Sequence, residues 1–154
     1  MPTPDEAAAL PPGPFDSALT DYLSFLLARA NALSLAAGNA ALSAYGLKAR
    51  SYSVLALSAG DARPSQRDLA AYLRLDPSQV VALVDGLQSR GLVERQPDPA
   101  DRRANVVVAT DAGRDLFARA AEGAREAELG IHAGLSEAER DQLTTLLRRL
   151  AFAD

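Results

Sequence analysis

Residues 76–110, DPSQVVALVDGLQSRGLVERQPDPADRRANVVVAT, combine the clearest helix signal of this chain with two short β-type runs. Asp76 suits a helix N-cap, Pro77 suits the first helical position, and Gly91 suits the residue just past the helix end. Between these signals, apolar residues recur at the i, i+3, i+4, i+7 spacing of one helix face, which we expect to lie in the core. These residues are Val80, Leu83, Val84 and Leu87.

The two β-type runs follow directly after this helix. LVERQ (92–96) and NVVVAT (105–110) are separated by PDPADRRA (97–104), whose prolines and aspartates are typical of a loop. Because the runs are short and close together, we expect them to pair as a β-hairpin. Thr110 then suits the N-cap of the next helix.

The rest of the chain reads as helix. Ser65 is a predicted N-cap with Asp68 near N3, and Ser136–Glu139 reads SEAE, a capping-box pattern. The helices other than the one at residues 77–90 are expected at about 15–33, 48–59, 65–75, 114–134 and from 136 to about 150. This pattern predicts a mainly α fold that contains one small β-hairpin.

Composition narrows the possible classes of protein. The chain has 154 residues, about one domain, and no cysteine, which excludes disulfides, thiolate metal sites and a thiol redox sensor. Its net charge is −4, so bulk charge gives no hint of nucleic-acid binding. Residues 1–14 are rich in proline and are expected to form a disordered arm. We find no apolar run that approaches the roughly 18 residues of a membrane span and predict a cytoplasmic protein without membrane contact.

Three helices followed by a hairpin are the element order of a winged helix-turn-helix. In that arrangement the last helix before the hairpin enters the DNA major groove, and the hairpin, or wing, lies along the minor groove. The outer face and start of that helix are candidate contacts to base edges, and the loop of the hairpin carries two arginines suited to a narrow minor groove. The candidate DNA-binding residues are Ser65, Gln66, Ser78, Gln79, Val81, Ala82, Arg90, Arg95, Arg102 and Arg103.

Within the wing, Asp101 is close enough in sequence to position one of the arginines, and Arg103 is the stronger candidate for groove contact. The alternative is a solvated turn in which both arginines pair with Asp98 and Asp101. Arg90 and Arg95 flank the base of the hairpin, where they would contact backbone phosphates.

The chain resembles the multiple-antibiotic-resistance regulator (MarR) family of bacterial transcription factors. The resemblance covers Phe15 to Phe152 and rests on four pieces in the family's order. They are GLKARSYSVLAL (46–57), SQRDLAAYLRLDPSQVVALVDGLQSRGLVER (65–95), DPADRRANVVVATDAG (98–113) with the D-x-R pattern of the family's wing, and GLSEAERDQLTTLLRRL (134–150).

The resemblance implies a single domain over residues 15–152. Its winged helix-turn-helix would occupy residues 46–110, and residues 15–45 and 111–152 would form an all-helical dimerisation region. It also implies a homodimeric repressor that binds double-stranded DNA at a pseudo-palindromic operator and is released by a small effector, such as an aromatic or phenolic compound. The effector-pocket residues suggested by the resemblance are Tyr22, Arg29, Asn31, Tyr45 and Tyr52; the tyrosines have simple packing as an alternative role.

Some residues depart from the family pattern. Val81 and Ala82 are apolar where relatives often carry Thr or Arg, and Lys48 replaces the usual Ser or Thr cap of the second helix. With the neutral middle of the chain, the apolar pair supports an alternative, a winged-helix protein-interaction module without sequence-specific DNA binding.

The remaining polar residues suggest no catalytic site. Asp85 is expected to pair with a nearby arginine such as Arg90, and Arg74 with either a phosphate or Asp76. His132 is the single histidine, and the chain has no cysteine, so no transition-metal site, cofactor site or catalytic triad is predicted. We therefore expect a protein that is not an enzyme.

Overall fold

The computed structural model describes residues 18–153, and these residues contain six α-helices and one two-stranded sheet. The elements are α1 (Leu23–Leu42), α2 (Ala49–Ala59), α3 (Gln66–Leu73), α4 (Pro77–Ser89), β1 (Val93–Pro97), β2 (Asn105–Ala109), α5 (Asp111–Ile131) and α6 (Glu137–Ala151). Two 3₁₀ turns, Ala18–Asp21 and Ser43–Tyr45, flank α1. The predicted mainly α fold with one hairpin is confirmed.

The chain divides into two compact units between Leu33 and Ser34. The first unit contains the turn Ala18–Asp21 and the start of α1. Its large apolar side chains are exposed, Tyr22, Leu23 and Leu33 most of all. The first helix was expected at residues 15–33, but it begins at Leu23 and continues to Leu42. Phe15 and the predicted disordered arm 1–14 lie outside the described residues.

The segment Leu23–Tyr45 is long and apolar enough to cross a membrane by length and composition alone. The expectation concerned an unbroken apolar run, and Arg29, Asn31 and Asn39 interrupt this segment. Its many Leu and Ala residues give it the mean hydropathy of a membrane span without such a run.

The core of the second unit lies where α2, α4, α5 and the hairpin meet. On α4, Val80, Val84 and Leu87 are buried and Leu83 is half-buried, which confirms the predicted inner face. They share the core with apolar side chains of the other elements. These include Leu42, Leu47, Val54, Leu55, Leu69, Val93, Val107, Leu116 and Ala120.

The hairpin is antiparallel, with Val93 opposite Ala109 and Pro97 opposite Asn105. The segment before α3 joins its outer edge, because the Val107 amide donates to the Pro64 carbonyl oxygen at 2.8 Å and Ser65 forms a bridge with Val106. This contact attaches the start of α3 to the second strand of the hairpin.

Most of the predicted helix ends are confirmed. The side chains of Ser65, Thr110 and Ser136 accept hydrogen bonds from the amides of the third residues of α3, α5 and α6. Gly91 adopts φ +69° just past α4, as a glycine in this position can without strain. Asp76 is the N-cap of α4 but makes no side-chain capping bond. Instead, its backbone amide donates to the Gln79 side-chain oxygen at 3.2 Å.

The start of α2 has no Ser or Thr cap, as the sequence indicated. Its N-cap is Lys48, whose side chain has no acceptor atom. The Lys48 amide donates to the Ser51 hydroxyl oxygen at 2.9 Å, so a serine inside the helix satisfies this end.

The junction between the hairpin and α5 is very close. A Cβ atom placed on Gly113 would lie 1.9 Å from the carbonyl oxygen of Leu92 and 3.3 Å from Cδ1 of Leu55. The Thr110 hydroxyl fixes the same junction by donating to the Gly91 carbonyl oxygen at 2.6 Å. Only glycine fits at position 113, where the first turn of α5 contacts the backbone of Leu92.

We predict that Gly113→Ala destabilises the protein by about 2 kcal/mol or more, because a methyl group there overlaps backbone atoms that have no room to move. Gly86→Ala is the matched control, since a Cβ at Gly86 meets nothing within 4 Å. It should stabilise α4 by up to about 1 kcal/mol. Urea unfolding of both variants measures the difference, and equal midpoints would contradict the close packing.

Candidate nucleic-acid interface

The outer face of α4 presents short side chains to solvent, both apolar and polar. Ser78, Ala82 and Asp85 are exposed, and Val81 is 40% exposed despite being apolar. Since the opposite face is in the core, the direction of these side chains is fixed by packing. Short side chains on this face leave room for a close approach of a partner surface.

The wing loop is organised by two aspartates that bond to the backbone. An Asp98 carboxylate oxygen accepts from the Ala100 amide at 2.8 Å, and an Asp101 oxygen accepts from the Arg103 amide at 3.0 Å. Asp101 therefore positions Arg103 through its backbone and not through its guanidinium group. Among the described residues, neither wing arginine forms an ion pair with Asp98 or Asp101. Arg102 and Arg103 are both exposed.

Arg95 joins three elements through one guanidinium group. Nε donates to the Gln66 side-chain oxygen at 2.7 Å, Nη1 donates to the Gln88 side-chain oxygen at 2.7 Å, and Nη2 lies 2.6 Å from the Asp85 carboxylate. Thus β1 is linked to α3 and to the second half of α4. Arg95 was predicted as a phosphate contact, but all three of its nitrogen atoms bond to protein acceptors.

Arg90 also bonds to the protein. Its guanidinium group donates to the carbonyl oxygens of Gly46 at 2.6 Å and Tyr45 at 3.2 Å, and it connects the end of α4 to the turn before α2. Asp85 pairs with a nearby arginine as expected, but its partner is Arg95 and not the Arg90 offered as the example. The difference has a physical reason: Arg90 lies past the end of α4, where its side chain reaches the free carbonyls of a neighbouring turn.

Ser65 and Gln66 at the start of α3 likewise have partners. The Ser65 hydroxyl and amide donate to an Asp68 carboxylate oxygen at 2.6 and 2.9 Å. These hydrogen bonds lower the pKa of the Asp68 carboxyl below its usual value. Gln66 is half-buried and holds Arg95. Both residues thus contribute to the frame on which α3 and the wing are placed.

An open groove of about 860 Å³ runs between α3 and the start of α4. Three arginines line it, Arg50 of α2, Arg67 of α3 and Arg74 at the C-cap of α3, together with Gln79 and Val81 of α4. Sequence reasoning missed Arg50 and Arg67 as members of this surface, and it left Arg74 undecided. Arg67 and Arg74 lie at the two ends of the predicted third helix, and that position was a usable signal.

A sequence model of the MarR family matches residues 45–104. A MarR-family transcriptional regulator of known structure, from Rhodococcus sp. RHA1, is 41% identical to this chain. The alignment covers 90% of this chain and 98% of that chain, with a TM-score of 0.84. The chain belongs to the MarR family.

Other relatives of this MarR-family chain have been seen with ligands. CouR from Rhodococcus jostii RHA1, bound to p-coumaroyl-CoA, is 39% identical, with 89% of this chain and 96% of that chain covered and a TM-score of 0.79. CouR bound to a 23-mer DNA duplex aligns at 30% identity over 86% of this chain and 94% of that chain, with a TM-score of 0.78.

Among curated proteins, a putative transcriptional regulatory protein for the hcr operon of Thauera aromatica is 34% identical over 103 residues. That match covers 67% of this chain and 62% of the relative. The chain spans about three-fifths of the length of the curated relatives it matches. Since the members of the MarR family are transcriptional regulators and not enzymes, this chain is a transcriptional regulator with a winged-helix DNA-binding fold.

Within this MarR-family fold, the candidate effector residues fall in both units. Tyr22, Arg29 and Asn31 are exposed residues of the first unit. In the second unit, Tyr52 packs against Phe117 with ring centroids 5.5 Å apart, and burial raises the pKa of its hydroxyl. Tyr45 is half-buried, and its ring lies 3.2 Å from the position of a Cβ on Gly123. Both tyrosines therefore pack on α5.

His132 lies at the C-terminal end of α5, where Nδ1 is 3.3 Å from a Glu128 carboxylate oxygen. Within residues 18–153, no group of three or more His, Cys, Asp or Glu side chains is arranged to hold a metal ion.

We predict that Arg95→Ala lowers the free energy of unfolding of this MarR-family protein by about 1–2 kcal/mol. The substitution removes three charge-assisted hydrogen bonds, which we discount because the group is partly exposed. Arg103→Ala, which removes an exposed side chain outside this network, should change stability by less than about 0.5 kcal/mol. Chemical unfolding compares the two, and an equal loss in both variants would show that the network does not stabilise the fold.

We also predict a pH dependence from Asp68. Because its pKa is lowered in the folded state, its contribution to stability is complete above the ordinary pKa of about 3.9 and is lost as pH falls through the lower, folded pKa. Asp68→Asn should therefore lose less stability than the wild type between pH 5 and about pH 2. Unfolding midpoints across that range measure this, and parallel acid profiles would contradict it.

Proposed function

We propose that this MarR-family regulator is a cytoplasmic homodimeric repressor that binds a pseudo-palindromic operator and leaves it when a small aromatic effector binds. One observation carries the proposal. The same packed unit contains an exposed face of short side chains on α4 and a wing loop whose two arginines form no ion pair among the described residues. A relative bound to duplex DNA has the same fold at 30% identity.

In this proposal α4 reads base edges in the major groove through Ser78, Gln79, Val81 and Ala82. Val81 and Ala82 suit contact with thymine methyl groups, and Ser78 and Gln79 suit hydrogen bonds. The Asp85 carboxylate on the same face does not leave a free negative charge, because it pairs with Arg95 at 2.6 Å.

The wing enters the minor groove through Arg102 and Arg103, where the negative potential is concentrated. The four remaining candidates, Ser65, Gln66, Arg90 and Arg95, act by holding α3, α4 and the wing in place. Their hydrogen bonds to the protein support this role over direct contact with DNA.

The dimer would form through exposed apolar faces of α1 and α6, within residues 15–45 and 111–152. On α6, Leu143, Leu146, Leu147 and Leu150 are between 37% and 58% exposed at the spacing of one helix face. A soluble monomer rarely exposes such a stripe. A second copy also accounts for the membrane-like composition of α1, since helices of a buried interface are apolar in the same way. Two copies of α4 would then enter successive major grooves, about 34–36 Å apart.

For the effector we propose an aromatic acid or its thioester. The support is the structure of CouR with p-coumaroyl-CoA at 39% identity and the packing of Tyr45 and Tyr52 against α5. The effector must bind the conformation that releases DNA more tightly than the conformation that holds it.

The DNA directly upstream of the regulator's own gene is the substrate for the deciding experiment. We predict that its affinity falls steeply with salt, and that Arg103→Ala weakens binding about tenfold and lowers the slope of log K against log salt by about 1. Arg119→Ala removes an exposed arginine of α5 and is the matched control for net charge. Fluorescence anisotropy measures all three proteins.

The same titration tests the rest of the proposal. A stoichiometry of two chains per duplex supports the homodimer, and release of DNA by p-coumaroyl-CoA supports the effector class. Absence of binding at low salt would refute the DNA-binding role and favour a winged-helix module that binds another protein.

A further inference from the structure

The groove between α3 and α4 brings three arginines from two helices and a helix end to one surface. Arg50, Arg67 and Arg74 line it and are all exposed. None of them forms an ion pair with an acidic side chain within residues 18–153. The single carboxylate in its lining is that of Asp76.

We propose that Arg50, Arg67 and Arg74 form a binding site for the phosphates of the DNA backbone, next to the base-reading face of α4. This inference rests on the DNA-binding function proposed above and adds three residues to it. Arginine suits such a site, because its planar guanidinium group donates several hydrogen bonds to phosphate oxygens.

The shape of α3 favours an extended anionic chain over a compact ligand. Arg67 lies in the first turn of α3 and Arg74 is its C-cap, so the two arginines lie at opposite ends of the helix with the exposed Ala71 between them. With a rise of 1.5 Å per residue, their Cα atoms are roughly 10 Å apart along the helix. A nucleic-acid strand can lie over Ala71 while its phosphates contact the two ends.

The groove is continuous with the proposed reading surface. Gln79 and Val81 of α4 belong to the lining of the groove, and both are among the residues proposed to read bases. A strand that passes through the groove would therefore reach α4 without a gap. Arg50 extends the same surface to the start of α2.

The backbone at Arg74 supports a role for its side chain. Arg74 is the C-cap of α3 and adopts φ +53°, a conformation in which glycine or asparagine is more stable than arginine. Glycine would adopt this backbone conformation with less strain, so the arginine lowers the stability of the fold. Loss of stability at a functional position is the pattern expected when the side chain binds a ligand.

Salt titrations of the full chain test the proposal on two duplexes, the upstream DNA and an unrelated sequence of equal length. Arg50→Gln, Arg67→Gln and Arg74→Gln should each lower the slope of log K against log salt by about 0.9. Across a fourfold rise in salt, each variant then loses about 3.5-fold less affinity than the wild type. The effect should be equal on both duplexes, because phosphates carry no sequence information.

Two further variants separate binding from folding. Asp76→Asn keeps a good N-cap residue but removes the carboxylate of the groove, so it should tighten binding to both duplexes. Arg74→Gly should raise the unfolding midpoint while it weakens DNA binding, since it relieves the backbone and removes the charge. A structural role for Arg74 would move both measurements in the same direction. Arg119→Ala again controls for net charge.

The outcomes distinguish this inference from the proposed function. Unchanged slopes in all three glutamine variants, with wild-type DNA binding intact, would overturn the phosphate site alone. Absence of DNA binding by the wild type would overturn both. Inorganic phosphate, added at constant ionic strength, is the probe for a site that takes free anions. Binding of inorganic phosphate to these arginines with no change in DNA affinity would overturn the assignment to the DNA backbone.

Discussion

The burial of one face of α4 is the constraint on which the other surfaces depend. Val80 and Val84 are fully buried in contact with a core that α2, α5 and the hairpin share. Dense packing of this kind leaves a helix no freedom to rotate about its axis, because any rotation would open cavities and expose apolar groups. The outward direction of Ser78 and Ala82 is therefore a consequence of the core, as are the positions of the groove and the wing beside them.

Polar contacts then set the angles between the elements that the core holds together. Arg95 links β1 to α3 and α4, Arg90 links α4 to the turn before α2, and Thr110 links α5 to the end of α4. All three connect segments distant in sequence. Two arginines that looked suited to phosphate, Arg90 and Arg95, therefore bond to the protein. The arginines of the groove and of the wing loop form no ion pair among the described residues. The net charge of −4 conceals this separation.

Features encoded in neighbouring residues could be predicted from the sequence. The caps at Ser65 and Thr110, the inner face of α4 and the existence of the hairpin depend on local patterns, and the structure has each of them. The partner of Asp85 could not be predicted, because the choice between Arg90 and Arg95 depends on where the hairpin folds back in space. The start of α1 was also misplaced. Because α1 is rich in alanine, its faces differ little in hydrophobicity, and the apolar spacing does not mark where the helix begins.

The outer face of α4 has a consequence for how such a regulator can evolve. Ser78, Val81 and Ala82 are exposed, and their side chains form no hydrogen bonds in the described structure. Substitutions at exposed positions of this kind usually change stability by less than about 0.5 kcal/mol. Mutations at these positions are therefore under little selection for folding stability. A duplicated copy of the gene can change the chemistry of this surface while its core remains that of the parent.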